Sequence, residues 1–413
     1  MIIEFSVKNF RSIREKVTLS LVADKAVSRK NELPDNLIEL EDGLFLHKTV
    51  VLYGRNASGK SNLLLGLNRF VDLITNSHEN KVGEQITQYE TFFCDLNTIS
   101  APVEFEIFFF LQNTENHFIK YHYQVSFDKQ NIISENLNFY PKGQKAKLFE
   151  RSQNQPISFG DYLKGSKKII EDGLLPNQLF LSKTASFRIE FLNEVYSYLS
   201  NKIVPLIFHD QNFEQEIIKD ILIPNLKDNT FRQNLLELLK AADTGIVDIQ
   251  YNSLSGNVET SHRFFEKDES NEKTPIPFSY QMESLGTKKL LILAGAILNI
   301  LKNGKVVLID ELDKSLHPLL SKMIVRLFLS SENNPNNSQL LFTTHDSSLM
   351  DGELFRRDQM FITEKDYMGQ TSIYNLSSIQ GLRKNVPFEK WYLGGSLGGI
   401  PVVYEPELVF NGK

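Results

Sequence analysis

Three stretches of the chain are apolar at every position, and each runs into a polar cluster. Val50-Val51-Leu52-Tyr53 leads to Gly54, Val306 to Ile309 leads to Asp310-Glu311, and Leu340-Leu341-Phe342 leads through Thr343-Thr344 to His345-Asp346. Short unbroken apolar runs of this kind predict buried strands. Elsewhere the pattern alternates. Ile3, Phe5 and Val7 share one face of a first strand, and residues 18–22 predict a second. Charged residues and Pro34 mark a loop before the Gly54 strand. Val103 to Leu111, His117 to Phe127 and Ile132 to Phe139 are aromatic and β-branched runs broken by Asn, Asp and Gly, which predicts an antiparallel meander. Helical spacing predicts helices from Ser61 to about Asn76, from Thr287 to Ile300 and from Leu319 to Leu329. Residues 176–245 are mostly helical in pattern, as in Phe231 to Leu239. Val247 to Tyr251 and Val258 to Phe265 return to β, and Asp268 to Pro277 reads as a polar surface loop. The expected division is an N-terminal lobe over 1–145, an inserted and mainly helical module with return strands over 146–275, and a C-terminal lobe over 276–413.

The polar clusters carry the chemistry. Residues 54–61 read GRNASGKS, the pattern G-x-x-x-x-G-K-[ST] between a strand and a helix. Successive backbone N–H groups in such a turn cradle phosphate oxygens, and the following helix adds its positive end. Gly54, Asn56 and Gly59 build the cradle, Lys60 reaches the terminal phosphates, and the Ser61 hydroxyl completes a Mg²⁺ shell. Asp310 and Glu311 stand where open α/β sheets place ligands. Asp310 can hold Mg²⁺ through water, and Glu311 can take a proton from an attacking water. His345, one strand further on, can hydrogen-bond a γ-phosphate or that water. Glu283-Ser284-Leu285-Gly286-Thr287 precedes an apolar helix; Ser284 fits an N-cap, Gly286 permits close backbone approach, and the helix start is a second anion site.

Spacing selects among phosphate-loop architectures. Lys60 and Asp310 are 250 positions apart (310 − 60), and no other apolar run between them ends in Asp-Glu. Small GTPases and ring-forming motors keep these motifs much closer. The distance implies a head split into two halves, with the meander and the inserted module between them.

Composition narrows the setting. The chain has 413 residues, 41% of them hydrophobic, with 30 Phe to fill a core. That suits two or three structural units. One cysteine, Cys94, excludes a disulfide framework and fits a reducing cytoplasm. The N-terminal stretch reads as a strand and not as a signal peptide, and the longest apolar run, Leu290 to Ile300, is too short to span a bilayer. The net charge of −6 gives no global nucleic-acid footprint. A local basic excess, Lys142, Lys145, Lys147, Arg151, Lys164, Lys167 and Lys168, reads as a solvated face, with nucleic-acid phosphate as the alternative. Gly394 to Gly399 (GGSLGG) reads as turns, with Trp391 and Tyr392 as packing anchors.

The order KNFRSI, GRNASGKS, ESLGTKK, VVLIDELDKSLHP and TTHD resembles the ABC-type ATPase heads of the SMC, RecF and OLD relatives. It resembles more closely the AAA15 family of bacterial ATPases, which includes AbiLi-type abortive-infection proteins and the ATPases of the PARIS and Septu defence systems. The tail, Arg356 to Asp366, Leu376-Ser-Ser and Tyr392 to Pro401, is similar too. The resemblance implies an α/β, ABC-type (SMC/RecF-like) phosphate-loop ATPase head with an antiparallel meander and an inserted helical module. It implies ATP and Mg²⁺ as ligands, with Lys60 on the β/γ-phosphates, Ser61 and Asp310 on the metal, Glu311 as general base and His345 as switch histidine. Ser284 and Gly286 match the signature that caps ATP held by a second protomer, though it reads ESLGT where transporters have LSGGQ. Asp313 would lie at the dimer interface, and Arg11 would approach the nucleotide. A glutamine coupling Mg²⁺ to the inserted module is also implied, with Gln85 and Gln88 as candidates. The functional expectation is an ATP-driven homodimer acting as a switch in phage defence on a separate effector, a nuclease or toxin. The alternative is an ATP-gated DNA-binding or scaffold protein of repair.

Overall fold

The computed structural model describes the chain except residues 25–32, 42, 114, 116, 165–166, 207–210, 266–271, 315, 383–385, 402–404 and 406–413. In chain order the strands are β1 (Ile2–Lys8), β2 (Val17–Ser20), β3 (Leu37–Glu39), β4 (Phe45–His47), β5 (Thr49–Tyr53), β6 (Val103–Gln112), β7 (Phe118–Phe127), β8 (Ile132–Tyr140) and β9 (Ala146–Ser152). They continue as β10 (Ser158–Phe159), β11 (Ile203–Leu206), β12 (Ile246–Asn252), β13 (Asn257–Phe265), β14 (Glu272–Ser279), β15 (Val306–Ile309), β16 (Gln339–Thr343), β17 (Met360–Lys365) and β18 (Thr371–Asn375). The helices used below are α1 (Lys60–Asn76), α2 (Phe180–Thr184), α3 (Glu190–Asn201), α4 (Asn229–Ala241), α5 (Leu285–Asn303), α6 (Pro318–Leu329) and α7 (Phe388–Leu393).

The three all-apolar runs become β5, β15 and β16, neighbours in one sheet of order β11-β15-β16-β5-β17-β18. All of its pairings are parallel except β17 with β18. Because side chains alternate across a strand, each run serves two cores. Val50, Leu52, Val306, Leu308 and Leu341 face one cluster; Val51, Tyr53, Val307, Ile309, Leu340 and Phe342 face the other. The first cluster is closed by α1, α3 and an antiparallel sheet of order β10-β9-β8-β7-β6-β1-β2. Phe70 of α1 lies 5.2 Å from Phe105 and stacks on Tyr123 at 5.5 Å between ring centres. The second cluster is closed by α5 and α6. The layers therefore run antiparallel sheet, helices, parallel sheet, helices.

The antiparallel sheet continues through β9 and β10, past residue 145, and β11 joins the parallel sheet beside β15. The 146–275 stretch thus contributes strands to both sheets as well as α2, α3 and α4. The loop expected over Asp268 to Pro277 is corrected in part. Residues 266–271 lie outside the described residues, but Glu272–Ser279 forms β14 against β13. Pro275 and Pro277 are tolerated because β14 is the edge of a three-stranded sheet, β12-β13-β14, where a missing N–H faces outward. Among the described residues no helix is long and apolar enough to cross a membrane.

Two buried polar groups fix the layers. Glu135 of β8 accepts from the Tyr123 hydroxyl (2.9 Å), the amides of Phe180 (2.7 Å) and Leu181 (2.9 Å), and Arg151 (3.4 Å). It ties the meander to α2. Burial pushes the Glu135 carboxyl up, while Arg151 and the two amides oppose that. Gln339, at the start of β16, brackets β1. Its Oε1 accepts from the Ile2 amide (2.7 Å), and its Nε2 donates to the carbonyls of Ile2 (3.1 Å) and His47 (3.2 Å).

Replacing Glu135 with Ala leaves a buried hydroxyl and two amides without their acceptor and removes the carboxylate beside Arg151, which keeps the carbonyls of Gln178 and Leu175. It should lower unfolding stability by about 3–5 kcal/mol, read as a lower urea midpoint. His47 titrates at about 4 because it is fully buried, with Asp358 opposing that shift and Arg356 adding to it. Its folded value lies below the unfolded one, so its contribution is present above pH 6.5 and is lost as pH falls toward 4. The loss amounts to about 3 kcal/mol. In urea titrations between pH 7 and 4, His47→Leu should flatten the acid-side fall by that amount; an unchanged profile would assign the fall to other groups.

Candidate functional site

β5 carries the chain into Gly54, where φ is 152°, and the loop closes through Ala57 (φ 61°) and Gly59 (φ 104°) into α1. A Cβ at Gly54 would collide with Thr363, and one at Gly59 with Thr371. The walls that make glycine necessary also hold the loop. Ser58 Oγ lies 2.6 Å from Thr363 Oγ1, which donates to the Tyr53 carbonyl (3.1 Å). On the other side a relay of single protons runs from Asn62 Nδ2 to Ser12 Oγ (2.7 Å), to Thr371 Oγ1 (2.8 Å), to the Ser58 carbonyl (2.8 Å). Each hydroxyl has one proton, so the direction of the relay is fixed. Lys60 is buried and folds back on the loop, donating to the carbonyls of Gly54 (2.7 Å) and Arg55 (3.2 Å). Burial holds its ammonium below the usual lysine value, while Asp310, Glu311 and Asp313 pull it back up. Asn56 is exposed at the crest of the loop.

The residues expected from the second half converge here. Ser61 Oγ donates to Asp310 Oδ1 at 2.8 Å. Glu311 has φ 53°, and its carboxylate lies 3.3 Å from Lys314 Nζ. Asp313 accepts from the His345 amide at 3.2 Å. The His345 side chain is exposed, and among the described residues its ring makes no hydrogen bond. The acidic turn is thus fastened both to the start of α1 and to the end of β16.

Ser284 caps α5, its Oγ accepting from the Thr287 amide at 3.1 Å. Ser284 and Gly286 are exposed. Because α5 ends at Gly304 just before β15 begins, its start lies at the same end of the head as the phosphate loop. Lys289, one turn in, donates to the Lys314 carbonyl beside the acidic turn. Among the described residues no hydrogen bond joins Ser284 or Gly286 to the phosphate loop of their own chain.

Arg11, with φ 51°, stands beside the loop; it pairs with Glu90 (2.5 Å) and donates to Asn62 Oδ1 (3.2 Å). The glutamine expectation is not met by Gln88, which is buried and donates to Asp72 Oδ2 (2.7 Å). Asp72 lies eleven residues beyond Ser61, about 16 Å along α1 at 1.5 Å per residue. Gln85 is exposed, and among the described residues no hydrogen bond joins it to Ser61 or Asp310. In the basic run, Arg151 is buried with Glu135, Lys147 holds Ser158, and Lys167 donates to the Leu163 carbonyl and covers the Phe159 ring. Lys142, Lys145, Lys164 and Lys168 are the exposed remainder.

Thr371 carried no sequence signal; Thr343, Thr363 and the Gly-rich tail lie in segments that carry the resemblance, but no role at the site was read for them. Tyr392 of α7 donates to the Gly399 carbonyl (3.2 Å), and its ring lies 5.8 Å from that of Tyr53, the residue before Gly54. Glu364 accepts from the Gly399 amide (3.0 Å), which seats the tail against the first glycine of the loop. Tyr392 is the anchor the sequence suggested, whereas Trp391 is 39% exposed. A groove of about 1100 Å³, lined by Met1, Tyr198, Lys202, Gly304 and Asn336, lies at the opposite ends of the parallel strands. A smaller cavity of about 300 Å³ lies beside the phosphate loop, lined by Arg55, Glu364, Lys365 and Gly399.

No curated protein matches the chain. Among solved structures it is similar to the SMC head domain from Thermotoga maritima, at 13% identity over 91% of this chain and 98% of that one, with a TM-score of 0.43. It is similar to an SMC head bound to the C-terminal winged-helix domain of ScpA, at 14% identity over 91% and 98%, with a TM-score of 0.46. It is also similar to an SMC head with a coiled coil and joint from Pyrococcus yayanosii, at 12% identity over 96% and 99%, with a TM-score of 0.43. The family described as "AAA domain, putative AbiEii toxin, Type IV TA system" matches residues 50–351, from β5 to just beyond His345. That span covers well over half of the chain and takes in both halves of the site, so the chain belongs to this AAA-domain family and is a phosphate-loop ATPase.

Proposed function

We propose that the chain is a Mg²⁺-dependent ATP hydrolase whose ATP-loaded heads pair, and that pairing switches a separate effector, a nuclease or toxin, in cytoplasmic anti-phage defence. The observation that carries the reading is the 2.8 Å approach of Ser61 Oγ to Asp310 Oδ1 at the mouth of the phosphate loop. A hydroxyl and a carboxylate are hard oxygen donors of the kind Mg²⁺ takes beside phosphates, so the pair fits that metal. When bound, the metal neutralises charge on the phosphate oxygens. Lys60 exchanges the carbonyls of Gly54 and Arg55 for phosphate oxygens. Glu311, released from Lys314, accepts the proton of the attacking water on its carboxylate. His345, with its ring free toward solvent, hydrogen-bonds the γ-phosphate side.

Pairing draws support from the open half-site. Ser284 and Gly286 are presented outward at the phosphate-loop end, and next to them Leu285 and Met282 are 84% and 74% exposed. A second copy placing this edge over the loop would cover that apolar surface and cap the nucleotide, with Asp313 at the crossing. The defence setting rests on the resemblance and on the toxin named in the family description. The repair alternative has less support, because three of its seven basic residues are already engaged within the chain.

Glu311→Gln should bind ATP, lose turnover by about 10²–10⁴-fold and accumulate as an ATP-dependent dimer in light scattering. Turnover at the parental rate would remove Glu311 from the role of base. Lys60→Ala should lose ATP binding in calorimetry. Ser284→Arg in the Glu311→Gln background should bind ATP and stay monomeric; an undiminished dimer would place the interface elsewhere.

A further inference from the structure

Ser61 meets only Asp310, whereas among the described residues the Thr343 side chain is hydrogen-bonded to both members of the acid pair. Thr343 closes β16, the strand beside β15, and is fully buried. Its Oγ1 lies 2.6 Å from Asp310 Oδ1 and 2.8 Å from the Glu311 amide nitrogen. The hydroxyl has a single proton. An ionised carboxylate can only accept, so the proton goes to Asp310 and the oxygen lone pair receives the Glu311 N–H. Both bonds are therefore fixed in direction, and each constrains a different residue.

The Asp310 carboxylate is held on Oδ1 by two hydroxyls, Ser61 from the start of α1 and Thr343 from the next strand. This sets its rotation relative to the loop. The Glu311 backbone sits in the left-handed region, which a non-glycine residue keeps only when its surroundings hold it there. The Thr343 hydroxyl holds the amide of that residue. The Thr343 carbonyl separately accepts from the Leu312 amide at 3.0 Å, and Asp313 is held by the His345 amide. Removing the hydroxyl would delete one of three fasteners and leave the two that use main-chain groups of the 343–345 segment.

We propose that Thr343 is a positioning residue for hydrolysis: its hydroxyl orients the Asp310 carboxylate for the metal and sets the turn that aims Glu311 at water. This rests on the roles given above to Asp310 and Glu311. Valine has the shape of threonine without the hydroxyl, and serine has the hydroxyl without the methyl group, so the pair separates hydrogen bonding from packing.

The test uses the full chain and reads kcat, the Mg²⁺ concentration at half-maximal turnover, ATP affinity in EDTA, and melting temperature. Partners that orient metal ligands typically contribute about 10–100-fold, so Thr343→Val should lower kcat by about that factor and raise the Mg²⁺ requirement. It should leave metal-free ATP affinity within about twofold, because the phosphate loop is untouched. Thr343→Ser should restore kcat to within about threefold of the parent. Should Thr343→Val fail to fold, Thr343→Ala supplies the same comparison. Parental kcat and Mg²⁺ dependence in the valine variant would overturn the proposal, as would a serine variant as impaired as valine. If Glu311→Gln hydrolyses ATP at the parental rate, the acid-pair reading itself fails. If Glu311→Gln is inactive while Thr343→Val is parental, only the role of Thr343 fails.

Discussion

Burial of the parallel sheet on both faces is the constraint from which the rest follows. β5, β15 and β16 send alternate side chains into two separate cores, so no position along them can carry a charge without losing apolar contacts. Polar chemistry is displaced to the strand ends. The C-terminal ends are where Gly54, Asp310 and Thr343 emerge side by side, because register places Ile309 opposite Phe342 and Thr343 opposite Leu52. Residues that are remote in sequence thus meet because apolar strands leave them nowhere else to go.

At that edge the structure concentrates opposing charges. Asp310, Glu311 and Asp313 face Lys60 and Lys314 within a few residues of the loop, and each acid is tied by a hydroxyl, an amide or an ammonium. The lysine is the buried member, and its ammonium is satisfied by two loop carbonyls. The order of the site comes from hydrogen bonds that neutral hydroxyls and amides donate to the carboxylates and that the ammonium donates to loop carbonyls, alongside the Glu311–Lys314 ion pair.

What could be read from the sequence was what is local. The loop motif, the acid pair and the histidine each sit directly after an apolar run, so their element and their position on it follow from a few neighbouring residues. The cap at Ser284 is equally local, since serine ahead of an apolar helix is its own signal. The second rank of the site was not legible, because it is made by pairing across the chain. Ser58 meets Thr363 at a separation of 305 residues, and Ser12 meets Thr371 at 359. Thr343 lies in the TTHD segment, yet its contacts to Asp310 and to the Glu311 amide span 33 and 32 residues and leave no local mark. Gln88 shows the converse: its residue type fitted a role that its position, against Asp72 far along α1, removes. Pro275 and Pro277 misled for a physical reason as well, since they argue against an interior strand but permit an edge.

The Tyr392 hydroxyl donates to the Gly399 carbonyl, and its ring packs against Tyr53, the residue that leads into the phosphate loop. A Cβ at Gly399 would collide with Ile362 and come within 3.4 Å of the Gly54 Cα, so the tail and the first glycine of the loop are neighbours. The last turn of the described chain is thus a wall of the phosphate cradle. A side chain introduced at Gly399 would therefore reach the phosphate loop from a position 345 residues away in sequence (399 − 54).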